Sequence, residues 1–371
     1  MAVNGVSTSG QQVINTTTAM DLVKTTLDNL ETQDYSETFA YQRYAVCEGL
    51  FQSNRVPVSG GATGRQRRVR LGTEENARGT RLFATGALTV GNVMQTMYEP
   101  WVMFEAGMAY EVTEIARNRG AAQIVDLVKT RRSAMWEDIC NYFERRGMLG
   151  PDSSTDDLNP KGLLFHCRML NTGVSDPSGG FNGTYGIFQD GTSTQTVAGL
   201  DASNTDFGRL RNWAWTHSGT LDAATLRQLR VAINRVNWRP PKMGKYAGKA
   251  KETDYKQFRV YWPQTFGEQY QEIVNAGPDD REGNFSPFWG DLPYGPVETV
   301  STPVLDGVAN YPIIGIDHGF TKVYASAGRW MVENDPLTDP TNHRIFNIWY
   351  DCDYLIACDE PRRNFVGHTV R

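Results

Sequence analysis

Apolar residues recur at helical spacing through residues 118–148, which predicts one long amphipathic helix. About 30 residues at 1.5 Å per residue give a rod of about 45 Å, much longer than the average globular helix. Gly150 and Pro151 are expected to end it. The residues that share its predicted buried face are spaced by four, seven, four and three positions: Ile124, Val128, Met135, Ile139 and Tyr142.

Shorter helical patterns flank this segment. Met20, Val23, Leu27 and Leu30 predict a short amphipathic helix after a polar arm, and a second helix is expected over 37–52. A further helix is predicted over 221–236, with Thr220 as its N-cap and Pro240 and Pro241 as its stop. Its inward residues are expected to be Leu226, Leu229, Ile233 and Val236.

Alternating or continuous apolar segments elsewhere predict strands. The segment 101–115 is strand-like, and four further strand-like pieces follow in the second half of the chain: 258–262, 311–316, 321–325 and 344–358. We find no internal repeat and no coiled-coil heptads. Helices and strands therefore mix along the chain, which predicts an α+β fold.

Residues 53–97 are rich in glycine and arginine and are predicted to form a long two-stranded hairpin. The pieces 68–71 and 82–85 are its expected strands, and arms of about 20 residues would reach about 60 Å. A ribbon of this kind is marginally stable alone, so a neighbouring subunit is its expected support. The arginines expected to meet carboxylates of that subunit are Arg65, Arg67, Arg68, Arg70, Arg78 and Arg81.

Composition narrows the class of protein. The 371 residues can form two compact regions, and 40% hydrophobic with 21% charged residues is ordinary for a globular protein. The net charge of −5 argues against a dedicated nucleic-acid binder. No apolar run reaches the ~18 residues of a membrane span, and no secretory signal is recognised. Five cysteines without a C-x-x-C pair favour a reducing compartment.

Motifs that carry chemistry are almost absent, so no enzyme activity, cofactor or metal is predicted. The Gly244–Lys249 stretch is one residue short of a phosphate-binding loop, and His166-Cys167 lacks the spacing of a zinc site. The Asp335–Asp339 stretch is interpreted as turn chemistry. Nine tryptophans and the pairs Asp156-Asp157 and Asp279-Asp280 keep a carbohydrate-active enzyme as a remote alternative.

The order of these parts resembles the Hong Kong 97-type major capsid fold of tailed bacteriophages. The stretch from Val197 to Ser203, followed by Arg211-Asn212-Trp213, is similar to a "G-G-[IL]-D-x-S … W-R-N" pattern of that family. Asn159–Leu163 resembles the segment that opens the family's A-domain, and 311–363 resembles its C-terminal strands. The likeness covers about residues 20–371.

The resemblance implies a division of the chain into the family's parts. These are an N-terminal arm with short helices (1–52), an extended E-loop hairpin (53–97), a P-domain (98–157) with its spine helix at about 118–148, an A-domain (158–305), and C-terminal strands that return to both domains (306–371).

The resemblance also implies a function: a shell protein that assembles as hexamers and pentamers around double-stranded phage DNA, without a cofactor, in the virion after synthesis in the bacterial cytoplasm. Implied partners are copies of itself, a portal and, as a further candidate, a decoration protein. No lysine lies between Lys24 and Lys129, so the hairpin cannot supply the cross-linking amine of some members. About fifty residues precede the hairpin, so scaffolding is expected from a separate protein. A tail tube or sheath protein is the alternative.

Overall fold

The computed structural model describes residues 44–52, 55–59, 63–71, 76–82, 85, 86, 88, 90, 93–111, 113, 127–170, 179–237, 257–275, 293, 294 and 297–369. The predicted helix near 20–30, Ile124, Pro240-Pro241, Gly244–Lys249 and Asp279-Asp280 lie outside these residues. Two compact units divide the chain. Among the described residues, the smaller unit contains those within 106–139 and 333–350, and the larger contains those within 41–105, 140–332 and 351–371.

Four α-helices are described. They are α1 (Leu127–Leu149), α2 (Leu163–His166), α3 (Ala223–Val236) and α4 (Gln264–Asn275). A π-helical segment covers Cys47–Gln52, and short 3₁₀ turns cover Thr205–Leu210, Pro303–Leu305 and Pro361–Arg363. The predicted N-cap of α3 is wrong: Asp222, not Thr220, accepts the backbone N–H of Thr225 at 2.7 Å. An aspartate carboxylate is a strong acceptor for the unpaired N–H groups of a first helical turn.

Helix α1 follows the predicted spacing where its side chains are described. Met135 and Ile139 are buried, and Tyr142 is half-buried, with its hydroxyl donating to the Asn159 side chain at 3.1 Å. The Val128 side chain lies outside the described residues. Gly150 ends the helix with φ +86°, and a Cβ there would lie 2.7 Å from the backbone nitrogen of Gly162. A glycine is therefore required at this helix end.

Nineteen strands are described, many of them short. They are β1 (Arg55–Val58), β2 (Gly64–Arg70), β3 (Met94–Pro100), β4 (Val102–Glu111), β5 (Gly180–Gly183), β6 (Gly186–Ile187), β7 (Ser193–Thr194), β8 (Thr196–Val197), β9 (Leu200–Asp201), β10 (Asn212–His217), β11 (Phe258–Pro263), β12 (Pro293–Tyr294), β13 (Val297–Thr302), β14 (Ile313–Asp317), β15 (Thr321–Ser326), β16 (Val332–Glu333), β17 (Leu337–Thr338), β18 (Ile345–Cys358) and β19 (Phe365–Thr369).

A seven-stranded mixed sheet forms the centre of the larger unit. Its strand order is β12-β13-β11-β14-β19-β10-β5, with β11/β13 and β10/β19 parallel and the other pairs antiparallel. Helices α3 and α4 pack on it through one apolar core that includes Leu229, Phe266 and Trp215. Burying each such side chain contributes about 2 kcal/mol. Gly367 allows this packing, because a Cβ there would lie 2.4 Å from the Trp215 ring.

Strand β18 is the longest strand and takes part in a second sheet. In the larger unit its C-terminal part pairs antiparallel with β15, which pairs parallel with β1. In the smaller unit Leu337 of β17 pairs with Asn347 of β18. The same sheet also contains β4 and β16. The long apolar segment 344–358 therefore forms a strand as predicted.

The hairpin consists of β2 and β3, paired antiparallel from Gly64↔Pro100 to Arg70↔Met94. Its predicted second strand, 82–85, is wrong: Leu82 and Thr85 lie in non-strand backbone, and the partner of β2 begins only at Met94. The paired arms are seven residues long, shorter than predicted. In the intervening segment the described residues from Ala77 to Val90 are exposed. Leu82, Leu88 and Val90 are 86%, 79% and 94% exposed, so this segment offers apolar side chains for a contact with another molecule.

Candidate functional site

The base of the hairpin is held by ion pairs within the chain. The Arg65 and Arg67 guanidinium groups lie 3.0 Å and 2.8 Å from Oδ1 of Asp359. Arg67 also donates to the backbone carbonyls of Cys358, at 2.8 Å, and of Asp359, at 3.1 Å. Both arginine side chains are about seven-eighths buried, at 14% and 13% exposure. The pairs are therefore worth more than exposed surface pairs.

Tyr324 and Glu99 complete this cluster. The Tyr324 hydroxyl donates to Asp359 Oδ2 at 2.7 Å, and its ring lies 3.6 Å from the Arg65 guanidinium carbon. Burial and the neighbouring Asp359 carboxylate raise the pKa of Tyr324. Glu99 is buried, and its Oε2 lies 3.7 Å from Nη1 of Arg65. Burial raises the Glu99 pKa, while the charges of Arg67 and Arg65 oppose that shift. The cluster therefore fixes the base of the hairpin against β15 and the residue that follows β18.

An apolar contact supports the hairpin beside these ion pairs. Leu71 and Met97 are buried in a small core with Val197, Ala198 and Leu210. The backbone N–H of Tyr98 donates to the Ala198 carbonyl at 3.1 Å, and Ala198 itself has φ +46°. The stretch that resembles the family pattern, Val197–Ser203, thus forms the platform on which the hairpin base lies.

Arg211 and Asn212, from the second half of the family-like pattern, hold this part of the chain in place through hydrogen bonds. Arg211 donates to the carbonyls of Ala202, at 2.9 Å, and Ser203, at 2.7 Å, and so closes the platform loop. The buried Asn212 side chain accepts the backbone N–H of Arg168 at 3.0 Å and donates to its carbonyl at 2.9 Å. An amide side chain is suited to this reciprocal pairing because it carries both a donor and an acceptor.

The predicted hairpin arginines separate into two sets. Arg65 and Arg67 pair with Asp359 of the same chain, because strand alternation turns both side chains toward it. A contact of these two arginines with another subunit stays a prediction. Arg68 and Arg70 point to the opposite side of β2 and are exposed. Arg78 and Arg81 are exposed in the segment between the strands, with Arg78 donating to the Thr85 carbonyl at 3.5 Å. These four remain available to another subunit.

The histidines and cysteines of the larger unit belong mostly to its interior. Burial lowers the pKa of His166 and of His318 to about 3, and that of His217 to about 4. His166 contacts the Ile356 carbonyl at 3.0 Å and Cys167 is buried beside it, so this pair is part of the packing. Within the described residues, no three His, Cys, Asp or Glu side chains are grouped as a metal site would require. In the same residues, no helix has the length and apolarity needed to cross a membrane.

Comparison with solved structures shows the same architecture over nearly the whole chain. A chain of the cyanophage A-1(L) capsid matches with a TM-score of 0.57 at 11% identity, covering 93% of this chain and 98% of that chain. A chain from the capsid of the native GTA particle matches with a TM-score of 0.51 at 11% identity, covering 92% and 96%. A chain of the bacteriophage PhiM1 mature capsid matches with a TM-score of 0.50 at 10% identity, covering 91% of this chain and 90% of that chain. This chain has a phage capsid fold. No family model and no curated protein matches the sequence.

The capsid fold accounts for the order of elements described above. The resemblance to the Hong Kong 97-type fold, drawn from a hairpin, a long helix, an inserted α+β region and a strand-rich return, is confirmed at the level of the fold. At 10–11% identity the shared feature is the arrangement of helices and strands rather than particular side chains. The anchor formed by Arg65, Arg67 and Asp359 is therefore described for this chain alone.

Proposed function

We propose that this chain is a major capsid protein that assembles, through hexamers and pentamers of itself, into the icosahedral shell around double-stranded phage DNA. The observation that carries the proposal is the capsid fold over 93% of the chain. The role is structural and the location is the virion. Catalysis, a cofactor and sequence-specific DNA binding form no part of it.

The hairpin supports this function because it exposes a segment that the rest of its own unit does not cover. Residues Leu82, Leu88 and Val90 are at least 79% exposed beside the exposed Arg78 and Arg81. Apolar side chains next to exposed cations are typical of a surface that becomes buried in an oligomer. In the proposed shell this segment lies on an adjacent subunit, with Arg68, Arg70, Arg78 and Arg81 facing carboxylates there.

The first test is assembly of the chain itself. Expressed alone and with candidate scaffolding proteins, it is expected to give closed shells of uniform size under negative-stain electron microscopy. Tubes or contractile cylinders would support the tail tube or sheath alternative. A monomer that hydrolyses polysaccharides would support the carbohydrate-active alternative instead. The further partners implied are a separate scaffolding protein, a portal and a decoration protein.

A second prediction concerns the hairpin arginines that lack carboxylate partners among the described residues. The double substitution Arg78→Ser and Arg81→Ser is expected to leave thermal unfolding of the unassembled chain unchanged, because both side chains are exposed. Shell yield is expected to fall about tenfold, since about 1.4 kcal/mol lost per contact gives that factor. The matched control, Arg227→Ser with Arg230→Ser, removes the same charge from the exposed side of α3. Equal yields from both variants would contradict the assigned hairpin contact.

A further inference from the structure

A cavity of about 530 Å³ lies between the hairpin base and the end of α3. Its floor is apolar and includes Val69, Leu71, Leu210 and Val236. Its rim carries four exposed arginines from four separate parts of the larger unit: Arg70, Arg209, Arg235 and Arg362. The combination of an apolar floor with a cationic rim is suited to a ligand that has both an apolar side chain and a negative charge.

The acidic residues that line the cavity do not neutralise this rim. Asp359 is held by Arg65, Arg67 and Tyr324, and Glu360 pairs with Arg363. Within the described residues, none of the four rim arginines forms an ion pair. Arg362 lies over the Phe181 ring at 4.5 Å and Arg235 over the Trp213 ring at 5.9 Å. These cation–π contacts orient the guanidinium groups but do not neutralise them, because an aromatic ring carries no net charge. The rim therefore retains its attraction for an anion.

The same chain presents a surface feature of matching chemistry. In the turn after α1, Leu158 is 75% exposed and stands next to the exposed Asp157. The turn is rigid, because the Asp156 carboxylate accepts the backbone N–H groups of Asp152, Leu158 and Asn159 at 2.9, 3.1 and 3.2 Å. An apolar side chain held outward on a fixed turn is an interface anchor that loses little entropy on binding.

We propose that the Asp157–Leu158 turn of one copy of this chain docks in the arginine-rimmed cavity of a neighbouring copy. Leu158 contacts the apolar floor and Asp157 lies among the rim arginines. Turn and cavity are different patches of one chain, so the contact is heterologous and generates rings when its rotation closes. The inference rests on the proposed shell function and assigns a contact within its hexamers and pentamers.

Two other occupants fit the cavity less well. A neighbour's hairpin tip would bring Arg78 and Arg81 toward the rim arginines, and like charges at that distance repel. A nucleic-acid backbone would satisfy the rim but would leave the apolar floor without a partner, since phosphate and sugar offer little apolar surface. A second copy supplies both kinds of contact.

Charge exchange tests the contact. Asp157→Arg and Arg362→Glu are each expected to lower shell yield about tenfold, and the double variant is expected to return to within about threefold of the parent chain. Glu268→Arg and Arg230→Glu are the matched controls, because they make the same charge changes at exposed positions of α4 and α3. A double variant no better than either single variant would overturn the proposal. So would an Arg362→Glu variant that loses nucleic acid from its particles while Asp157→Arg assembles normally.

A cross-link tests the same contact without counting shells. With Leu158→Cys and Arg362→Cys in one chain, mild oxidation is expected to give a ladder of disulfide-linked oligomers longer than dimers, as a heterologous contact requires. Each single variant is expected to give no ladder. Four native cysteines, Cys47, Cys167, Cys352 and Cys358, are buried, and Cys140 is half-buried, so the single variants measure any contribution from native thiols. Closed shells without a ladder would overturn this contact and leave the proposed function standing. Soluble laddered oligomers without closed shells would support the contact and count against the shell.

Discussion

Replacing Asp359 by alanine is expected to destabilise the unassembled chain by about 3 kcal/mol and to free the hairpin base. The Asp359 carboxylate accepts from Arg65, Arg67 and Tyr324, so its loss removes the acceptor that two largely buried guanidinium groups and a hydroxyl share. A buried charge that has lost its partner costs more than the pair itself contributes. Denaturant unfolding measures the loss of unfolding free energy, and faster amide hydrogen exchange in β2 and β3 shows that the hairpin base has been freed.

The matched control is Asp353→Ala. Asp353 pairs at 2.7 Å with Arg329, whose side chain is 61% exposed, so its loss is expected to cost at most about 1 kcal/mol. Asp359→Asn keeps the side-chain shape and one acceptor oxygen, so its destabilisation is expected to lie between those of Asp359→Ala and Asp353→Ala. If Asp359→Ala and Asp353→Ala destabilise the chain equally, the cluster does not anchor the hairpin. An intact exchange pattern in β2 and β3 would lead to the same conclusion.

The long elements of this fold were the predictable ones. Helix α1 and strand β18 are the longest helix and strand described, and both occur where the sequence places them. The second hairpin strand was misplaced because the sequence of the piece 82–85 resembles a strand, whereas β2 pairs with β3. The true partner, β3, buries Glu99 beside Met97, and a buried carboxylate hides the alternation that identifies a strand.

For the hairpin arginines, the local sequence pattern predicts the side of the strand on which each lies but not its ion-pair partner. Strand alternation alone separates Arg65 and Arg67 from Arg68 and Arg70, so the two sets could have been distinguished in the sequence. The partner of Arg65 and Arg67 could not be identified from the sequence, because Asp359 lies nearly three hundred positions further along the chain and no local signal marks it. The arginine-rimmed cavity is assembled in the same way, from four distant segments. Ion pairs between such segments follow only from the folded topology.

Glu144 is expected to make the stability of the larger unit fall as pH rises from about 4.5 to about 7. The side chain is buried in α1, and its Oε2 accepts the backbone N–H groups of Val46 and Cys47 at 2.9 Å each. Its Oε1 is buried without a hydrogen-bond partner among the described residues. Burial raises the pKa of Glu144 to about 7, although the backbone N–H groups oppose the shift, and Glu48 adds a smaller increase.

The sign of this effect follows from proton binding. Between pH 4.5 and 7 the folded chain binds more protons at Glu144 than the unfolded chain, so the stability contributed by the protonated form is complete below about 4.5 and is lost by about 7. The loss amounts to about 3 kcal/mol at 1.36 kcal/mol per pKa unit. The buried His166 and His318 and the half-buried His217 act in the opposite direction below pH 6.5, because their lowered pKa values make the unfolded chain the stronger proton acceptor there.

Glu144→Gln isolates the carboxylate, since the histidines are the same in variant and parent. The amide carbonyl can accept the same two N–H groups and never ionises, so the variant is expected to gain on the parent as pH rises from 5 to 8, by up to about 3 kcal/mol. Unfolding free energies of the unassembled chains at half-unit pH steps measure the difference. Glu268→Gln, an exposed carboxylate on α4, is expected to show little change over this range. A constant difference between Glu144→Gln and the parent would mean that the buried carboxylate does not titrate in this window.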